Sequence, residues 1–332
     1  MSARESIIPV FVPHLGCPND CVFCNQRRIS GSVTPAAPSD VREAIERALT
    51  LTPPDTRRQL AFYGGSFTAI PVEEQEALLG AAQPYLERGD IAAIRLSTRP
   101  DAIDNAVLAR LRRYGVETVE LGAQSMDERV LALSGRGHTA QDVRDASKAV
   151  KAAGFKLILQ MMTGLPGSSD ESDLESAREI AALSPDGVRV YPTVIVRDTA
   201  LYDMWKAGRY TEHTVEDAVR VCARILPVFE GAGIPVIRLG LNPTEDLSGG
   251  DAAGGAYHPA LGELVKSRIM RQKAEGLLAE RRGGEAVLRV NPRLMSQLVG
   301  QHGENRAYLK ERFGLKQLRI VPDGDVETLS LY

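Results

Sequence analysis

Short runs rich in β-forming residues alternate with helix-length amphipathic runs through the first two thirds of the chain, and this alternation constrains the fold most. The strand candidates are Ile7 to Val12, Gln59 to Tyr63, Ala93 to Thr98, Thr118 to Leu121, Lys156 to Met161 and Gly187 to Tyr191, with Val236 to Leu239 as one more. Between them lie helical patterns over Ser39 to Leu51, Val72 to Arg88, Ala102 to Tyr114, Thr139 to Ala153 and Asp170 to Leu183, each opening near Ser, Thr, Asp or Pro. A repeated β/α unit of this kind predicts parallel strands joined by helical crossovers, as an open sheet or curled towards a barrel. Either way, functional residues collect at the C-terminal ends of the strands.

The residues after each strand fit that expectation. The first strand runs into PHLGCPNDCVFCNQRRISG, where Cys17, Cys21 and Cys24 have the spacing C-x3-C-x2-C in a turn-rich loop. Three thiolates from one loop satisfy three irons of a four-iron cluster and leave the fourth open to a cofactor or substrate. The alternative is a structural zinc site completed by His14. The second strand ends in Tyr63-Gly64-Gly65-Ser66-Phe67-Thr68, whose glycines allow close approach of backbone to a ligand. The others end in Ser97-Thr98-Arg99-Pro100-Asp101, Gly122-Ala123-Gln124-Ser125, Thr163-Gly164-Leu165-Pro166-Gly167 and Tyr191-Pro192-Thr193. No catalytic acid or base stands out: Asp101, Glu120, Asp127 and Asp198 are as well read as helix caps.

These residues resemble the radical S-adenosylmethionine enzymes. The cysteine spacing with Phe23 before the last cysteine is similar to that family's cluster loop, and GGSFT to its glycine motif. GAQSMDERVLALSGRGHT resembles the segment found in enzymes near oxygen-independent coproporphyrinogen oxidase. The resemblance implies a partial (β/α)6 barrel and a 4Fe-4S cluster on Cys17, Cys21 and Cys24. It implies S-adenosyl-L-methionine at Phe23, Gly64, Gly65, Ser66, Ser97, Gln124, Arg136 and Gln160. Ser97 and Gln160 depart from the family, being neutral where the relatives carry carboxylates. The family's chemistry is reductive cleavage of the cofactor to a 5′-deoxyadenosyl radical, fed by a flavodoxin or ferredoxin. Arg189 to Tyr210, with STRPD and GLPG, resembles the radical domain of the Elongator catalytic subunit, which modifies the wobble uridine of transfer RNA. The segment beyond the barrel is too short and wrongly patterned for that subunit's acetyltransferase domain, so the expectation is a radical core of Elongator type without the Elongator reaction.

Composition sets the outer bounds. The 332 residues, 43% of them hydrophobic, suit one barrel-sized domain with a small appendix. No apolar run is long enough to span a bilayer and the N-terminus lacks a signal-peptide pattern, so the chain reads as cytoplasmic, with no membrane partner. The fourth cysteine, Cys222, falls in a helical pattern as a core thiol. The formal net charge of -3 is uneven: Ala260 to Tyr332 holds 13 Lys and Arg against 9 Asp and Glu, leaving the preceding part acidic. That is weak evidence for a polyanionic partner unless a binding module accompanies it.

Such a module is legible. The expected division is a barrel over 1–245, a glycine-rich loop and connecting helix over 246–284, and a small α+β unit over 285–332. In the last, strand Ala286 to Val290, helix Pro292 to Leu298, Gly300-Gln301-His302-Gly303, helix Glu304 to Phe313 and strand Gln317 to Val321 resemble a KH core, a single-stranded nucleic-acid module. The alternative is a helical hairpin that only packs on the barrel. The residues expected to touch substrate are Tyr191, Tyr257, His258, Gly300, Gly303 and Arg306, with Lys310 one turn on. The expected function is radical modification of RNA, with transfer RNA as the candidate. The alternatives are a small-metabolite radical enzyme with the C-terminal unit as a lid, and a non-catalytic iron–sulfur or zinc RNA-binding protein.

Overall fold

The structure is a computed structural model that describes residues 5–12, 17, 21–25, 36–241, 250–281 and 283–332. Seven parallel strands form one curved sheet. They are β1 (Glu5–Val12), β2 (Arg57–Gly64), β3 (Ala93–Thr98), β4 (Val116–Gln124), β5 (Lys156–Thr163), β6 (Gly187–Pro192) and β8 (Val236–Leu239), paired side by side in that order. Neighbouring strands follow one another in sequence, as β/α units demand, and the result is a half-barrel with helices outside. Those helices are α1 (Pro38–Leu51), α2 (Val72–Glu87), α3 (Asn105–Arg113), α4 (Glu128–Leu133), α5 (Ala140–Ala152), α6 (Asp170–Ala182) and α8 (Val215–Gly231). Outward-facing strand residues such as Leu60, Phe62, Leu96, Leu121, Leu159 and Val190 are wholly buried against them.

Local chemistry sets the helix starts. Thr139 Oγ1 accepts from the Asp142 N–H at 3.1 Å while Asp142 accepts from the Thr139 N–H at 2.7 Å, and Thr214 with Asp217 repeats this box at α8. Cys222 is fully buried on α8, as expected of a core thiol, and burial pushes it up to about 12.

Two short elements go beyond what the sequence pattern predicts. After β6 the chain forms β7 (Val194–Val196), which pairs antiparallel with β9 (Ala252–Gly255), so part of the expected glycine-rich loop is a strand; residues 242–249 lie outside the described residues. Helix α7 (Ala200–Lys206) comes directly after β7. Then α9 (Leu261–Leu277) bridges two cores, with Leu261 and Val265 in the barrel core and Met270 and Ala274 in the C-terminal one.

The C-terminal unit contains β10 (Glu285–Val290), α10 (Met295–Val299), α11 (Glu304–Arg312), β11 (Gln317–Pro322) and β12 (Leu329–Leu331), in a three-stranded sheet of order β11-β10-β12. Pro292–Leu294, expected to open the first helix, is a 3-10 turn. The buried Asn305 ties the unit to α9, donating to the Ser267 carbonyl at 3.1 Å and its hydroxyl at 2.8 Å. A Cβ on Gly300 would lie 2.9 Å from Asn305 and Glu304 atoms, whereas Gly303 has open space around it; both have positive φ.

Candidate functional site

The strand ends gather the polar residues at one rim. Ser66, after β2, is 1% exposed, and its hydroxyl lies 2.9 Å from that of Thr98 at the end of β3. Thr68 shares the same Thr98 hydroxyl at 2.6 Å, and Ser66 Oγ accepts from the Arg99 N–H at 3.2 Å. These bonds lock the glycine turn to β3, leaving Gly64 at φ +103°, a conformation that favours glycine.

At the end of β4 the register shifts between Gly122 and Gln124, and Gln124 adopts φ +66°. A bulge of this kind re-aims a side chain, and strained backbone of this sort clusters at functional sites. Gly122 is required by what covers it: a Cβ there would lie 2.7 Å from Gln124 Nε2 and 3.2 Å from Arg136 Nη2. Arg136 Nη2 donates to the Gly122 carbonyl at 2.7 Å, and its Nη1 donates to Cys21 Sγ at 3.3 Å. The glycine motif, the bulged strand and the cysteine loop therefore meet through Arg136 and Ser66.

The cysteine loop is held from behind. The Val22 N–H donates to the Ser134 carbonyl at 3.1 Å, and the Leu201 N–H at the start of α7 donates to the Val22 carbonyl at 2.7 Å. Val22 and Phe23, together with Tyr202 and Trp205, pack against Ile195, Leu201 and Tyr210. Phe23 thus sits in a hydrophobic clasp with α7. Cys17 is exposed at the rim. The atoms crowded beneath it and the neighbouring Cys21 raise its thiol, against Arg136, Arg99 and a backbone hydrogen bond from Ser66. His14, the fourth ligand of the zinc alternative, lies outside the described residues.

This donor set suits an anionic iron–sulfur centre. The loop's Cys17 and Cys21 face two guanidiniums, Arg136 and Arg99, which stabilise thiolate charge. Arg99 is 3% exposed and is held by Asp101 at 2.9 Å, with its Nη1 buried and unpartnered among the described residues. His138, beside Arg136, is pushed down to about 4 by burial and by that guanidinium, which keeps it neutral. Its Nε2 lies 3.1 Å from the Ala123 carbonyl.

Inside the half-barrel lies a second polar group. Glu120, for which a helix cap was one reading, caps no helix: it is fully buried on the inner face of β4. Its carboxylate accepts from Arg189 Nε at 2.8 Å, Tyr63 O–H at 2.9 Å, Arg95 Nη1 at 3.3 Å and Gln160 Nε2 at 3.3 Å. Gln160 Nε2 also reaches Ser97 Oγ at 3.4 Å. Ser97 and Gln160, the two neutral departures, thus flank a carboxylate supplied by the strand between them. Burial and then Glu120 push Tyr63 up to about 12. For Arg189, burial works against the charge but Glu120 outweighs it and raises the guanidinium. Strand alternation on β4 was the available signal, since Glu120 shares a face with Gly122.

Of the other sequence candidates, Tyr191 is on the inner face of β6 beside Arg189, and burial raises its phenol. Asp127 does cap α4, accepting from the Arg129 and Val130 N–H groups at 2.8 and 3.1 Å. Asp101 is the partner of Arg99, and Asp198 turns the chain at φ +57°. Tyr257 packs beside Val194 and Val196, and His258 Nδ1 accepts from the Ala260 N–H at 3.1 Å, opening α9. Gly300, Gly303 and the exposed Arg306 lie in the C-terminal unit.

Known proteins share this architecture. The Radical SAM superfamily model matches residues 11–180, and a Radical_SAM C-terminal domain model matches residues 185–271. Human Elongator complex protein 3 is 32% identical over 248 residues, which are 69% of this chain and 44% of that protein. The tRNA uridine(34) acetyltransferase of Dehalococcoides mccartyi is 31% identical over 240 residues, 62% of this chain and 52% of that protein. The chain spans about half the length of these relatives. Among solved structures, an N-terminally deleted Elp3 of Methanocaldococcus infernus superposes with a TM-score of 0.64 at 25% identity, over 82% of this chain and 64% of that one. Enzymes of the matched superfamily use a 4Fe-4S cluster and S-adenosylmethionine, and the rim of cysteines, glycines and arginines suits both. A family match running from the first strand into α6, across the very elements that build this rim, makes the chain an enzyme of the radical SAM superfamily.

Proposed function

We propose that the chain is a radical SAM enzyme that modifies RNA, with transfer RNA as the leading substrate. Cys17, Cys21 and Cys24 would hold the cluster. Gly64, Gly65 and Ser66 would receive the cofactor's methionine end by their backbone, with Phe23, Gln124 and Arg136 completing its pocket and Ser97 and Gln160 lining the inner side. When bound and reduced, cluster and cofactor supply a carbon-centred radical able to take a hydrogen atom from a substrate. The chain's own residues orient and shield. Arg136 donates to Cys21 and to the Gly122 carbonyl at once, coupling the cysteine loop to the bulged strand. Ser66, Thr68 and Thr98 hold the glycine turn rigid. An external one-electron donor such as a flavodoxin or ferredoxin completes the proposal.

The observation that carries the reading is this Arg136 bridge, because it joins the two motifs that the family uses for cluster and cofactor. The RNA substrate draws on the relatives, a tRNA uridine(34) acetyltransferase among them, and on Arg306 and Lys310, exposed on one helix of the C-terminal unit. A second reading is favoured by Gly300, whose missing Cβ is accounted for by packing on Asn305: the unit then only braces α9, and the substrate is a small metabolite. The two separate on RNA itself. Deleting the gene should remove one modified nucleoside from cellular RNA, and the purified chain should bind RNA at moderate salt. An unchanged nucleoside profile together with no binding would leave only the small-metabolite reading.

A further inference from the structure

The inner wall of the half-barrel differs in kind from its outer wall. Outward residues are closed into the core, while Tyr63, Arg95, Gln160, Arg189, Tyr191 and Arg238 face inward and remain partly open. Pairing fixes their common direction: Gln160 is level with Arg189, and Arg189 with Arg238 on the edge strand β8. At the opposite, N-terminal ends of the strands, Glu5, Arg57, Glu117 and Lys156 form ion pairs of 3.5, 2.7 and 2.5 Å across β1, β2, β4 and β5. Charge is balanced at that end, in contrast to the inner wall above it.

Its charge is unbalanced. Arg95 and Arg189 share the single carboxylate of Glu120, and Arg238 adds a third cation with no hydrogen bond or ion pair to another side chain among the described residues. Among the described residues, three guanidiniums against one carboxylate leave two positive charges in a concave wall backed by apolar core, a setting that concentrates the field. Stability does not call for this. Barrels commonly fill their interior with branched apolar side chains, and exchanging a buried ion pair for apolar groups is often neutral or favourable. A polar wall that stays partly open and carries surplus positive charge is arranged to meet a negative ligand.

We propose that the barrel interior is an anion-binding site, in which Arg189, Arg238 and Tyr191 receive a phosphate or carboxylate group of the substrate. Glu120 acts as a positioning residue, holding Arg189 from below and Arg95 from above. The site lies level with Gly122 and Gln124, since Gly122 pairs with Gln160, Gln160 with Arg189 and Arg189 with Arg238, so an anion held there would leave the adjoining part of the molecule at the rim. The inference rests on the reading that the substrate enters at the strand ends.

The test uses the full chain, reconstituted anaerobically, with the thermal unfolding midpoint followed against inorganic phosphate and against succinate, each compared with chloride at matched ionic strength. Phosphate raises the midpoint of many proteins by exclusion, so the saturable part that responds to Arg238→Gln is the readout. The wild type should show a saturable rise with at least one anion; phosphate alone points to a nucleotide phosphate, succinate alone to a carboxylate. Arg238→Gln should weaken the apparent affinity roughly tenfold, the size expected for one charge-assisted contact, and Arg238→Lys should recover part of it. No saturable rise in the wild type, or an unchanged one in Arg238→Gln, overturns the proposal. Cofactor cleavage by the same wild-type preparation without added anion tests the proposed function separately. Cleavage without anion binding removes this inference alone, and anion binding without cleavage removes the proposed function alone.

Discussion

Asp173 is 3% exposed on α6, and its carboxylate accepts the Gly164 N–H at 2.9 Å. Gly164 has φ +72°, and the ring of His213 occupies the place where its Cβ would be, while Tyr210 O–H donates to the Gly164 carbonyl at 2.6 Å. The GLPG turn is thus held by three side chains, none of which stands out in the sequence, because a buried Asp on a helix and a His in a loop have no distinctive spacing. Burial pushes Asp173 up to about 7. Its folded value lies above the ordinary one, so the folded state binds a proton that the unfolded state has released. The stability this adds is present in acid and is lost as pH rises through 7. His138 and His213 act in the opposite sense, since burial lowers both and their contribution fades as pH falls below the ordinary value of 6.5. The difference between wild type and Asp173→Asn isolates the carboxyl: the variant's urea midpoint should gain on the wild type as pH rises from about 6 to about 8. A pH-independent difference would contradict the assignment.

At the scale of elements, α7 and β7 form a clasp behind the cysteine loop, and they come from the stretch that carries the Elongator-like resemblance. Leu201 is fully buried and packs with Val22 and Phe23, and its own N–H holds the Val22 carbonyl. Truncating it opens a cavity worth about 2–5 kcal/mol of local packing. Leu201→Ala should therefore lose iron to a chelator several-fold faster than wild type, with the far-ultraviolet signal of the barrel retained; equal rates would show that the clasp does not secure the loop. The β/α order was legible because the strands bury an apolar outer face and helices such as α3, α5 and α6 begin at a capping Asp104, Thr139 or Ser169. The pair β7 and β9 was not, since strands of three and four residues show little periodicity and their pairing spans a long stretch of sequence. The role of Glu120 escaped although its strand did not: a charge in a parallel strand has no evident partner until the sheet curves and gives it an interior.

The whole molecule couples two cores through α9, one behind the radical rim and one in the C-terminal unit, with Asn305 as the buried tie between them. The rim's cysteines, glycine turn and strand-end polar residues were visible as a set in the sequence. Their convergence through Arg136 and Ser66 was not, because it depends on a bulge at Gly122 and on side chains crossing between strands. The surplus of basic residues beyond Ala260 lies mainly in 260–284, with the C-terminal unit itself near neutral, and the name of one relative, a tRNA uridine(34) acetyltransferase, makes transfer RNA the polyanion to test. The most direct measurement is release of 5′-deoxyadenosine by the reconstituted, reduced chain under anaerobic conditions, with and without transfer RNA. The account predicts slow release without RNA, an increase of about tenfold or more with it, and none from Cys21→Ala; release from the wild type that RNA leaves unchanged would contradict the RNA substrate, and no release at all would contradict the radical chemistry itself.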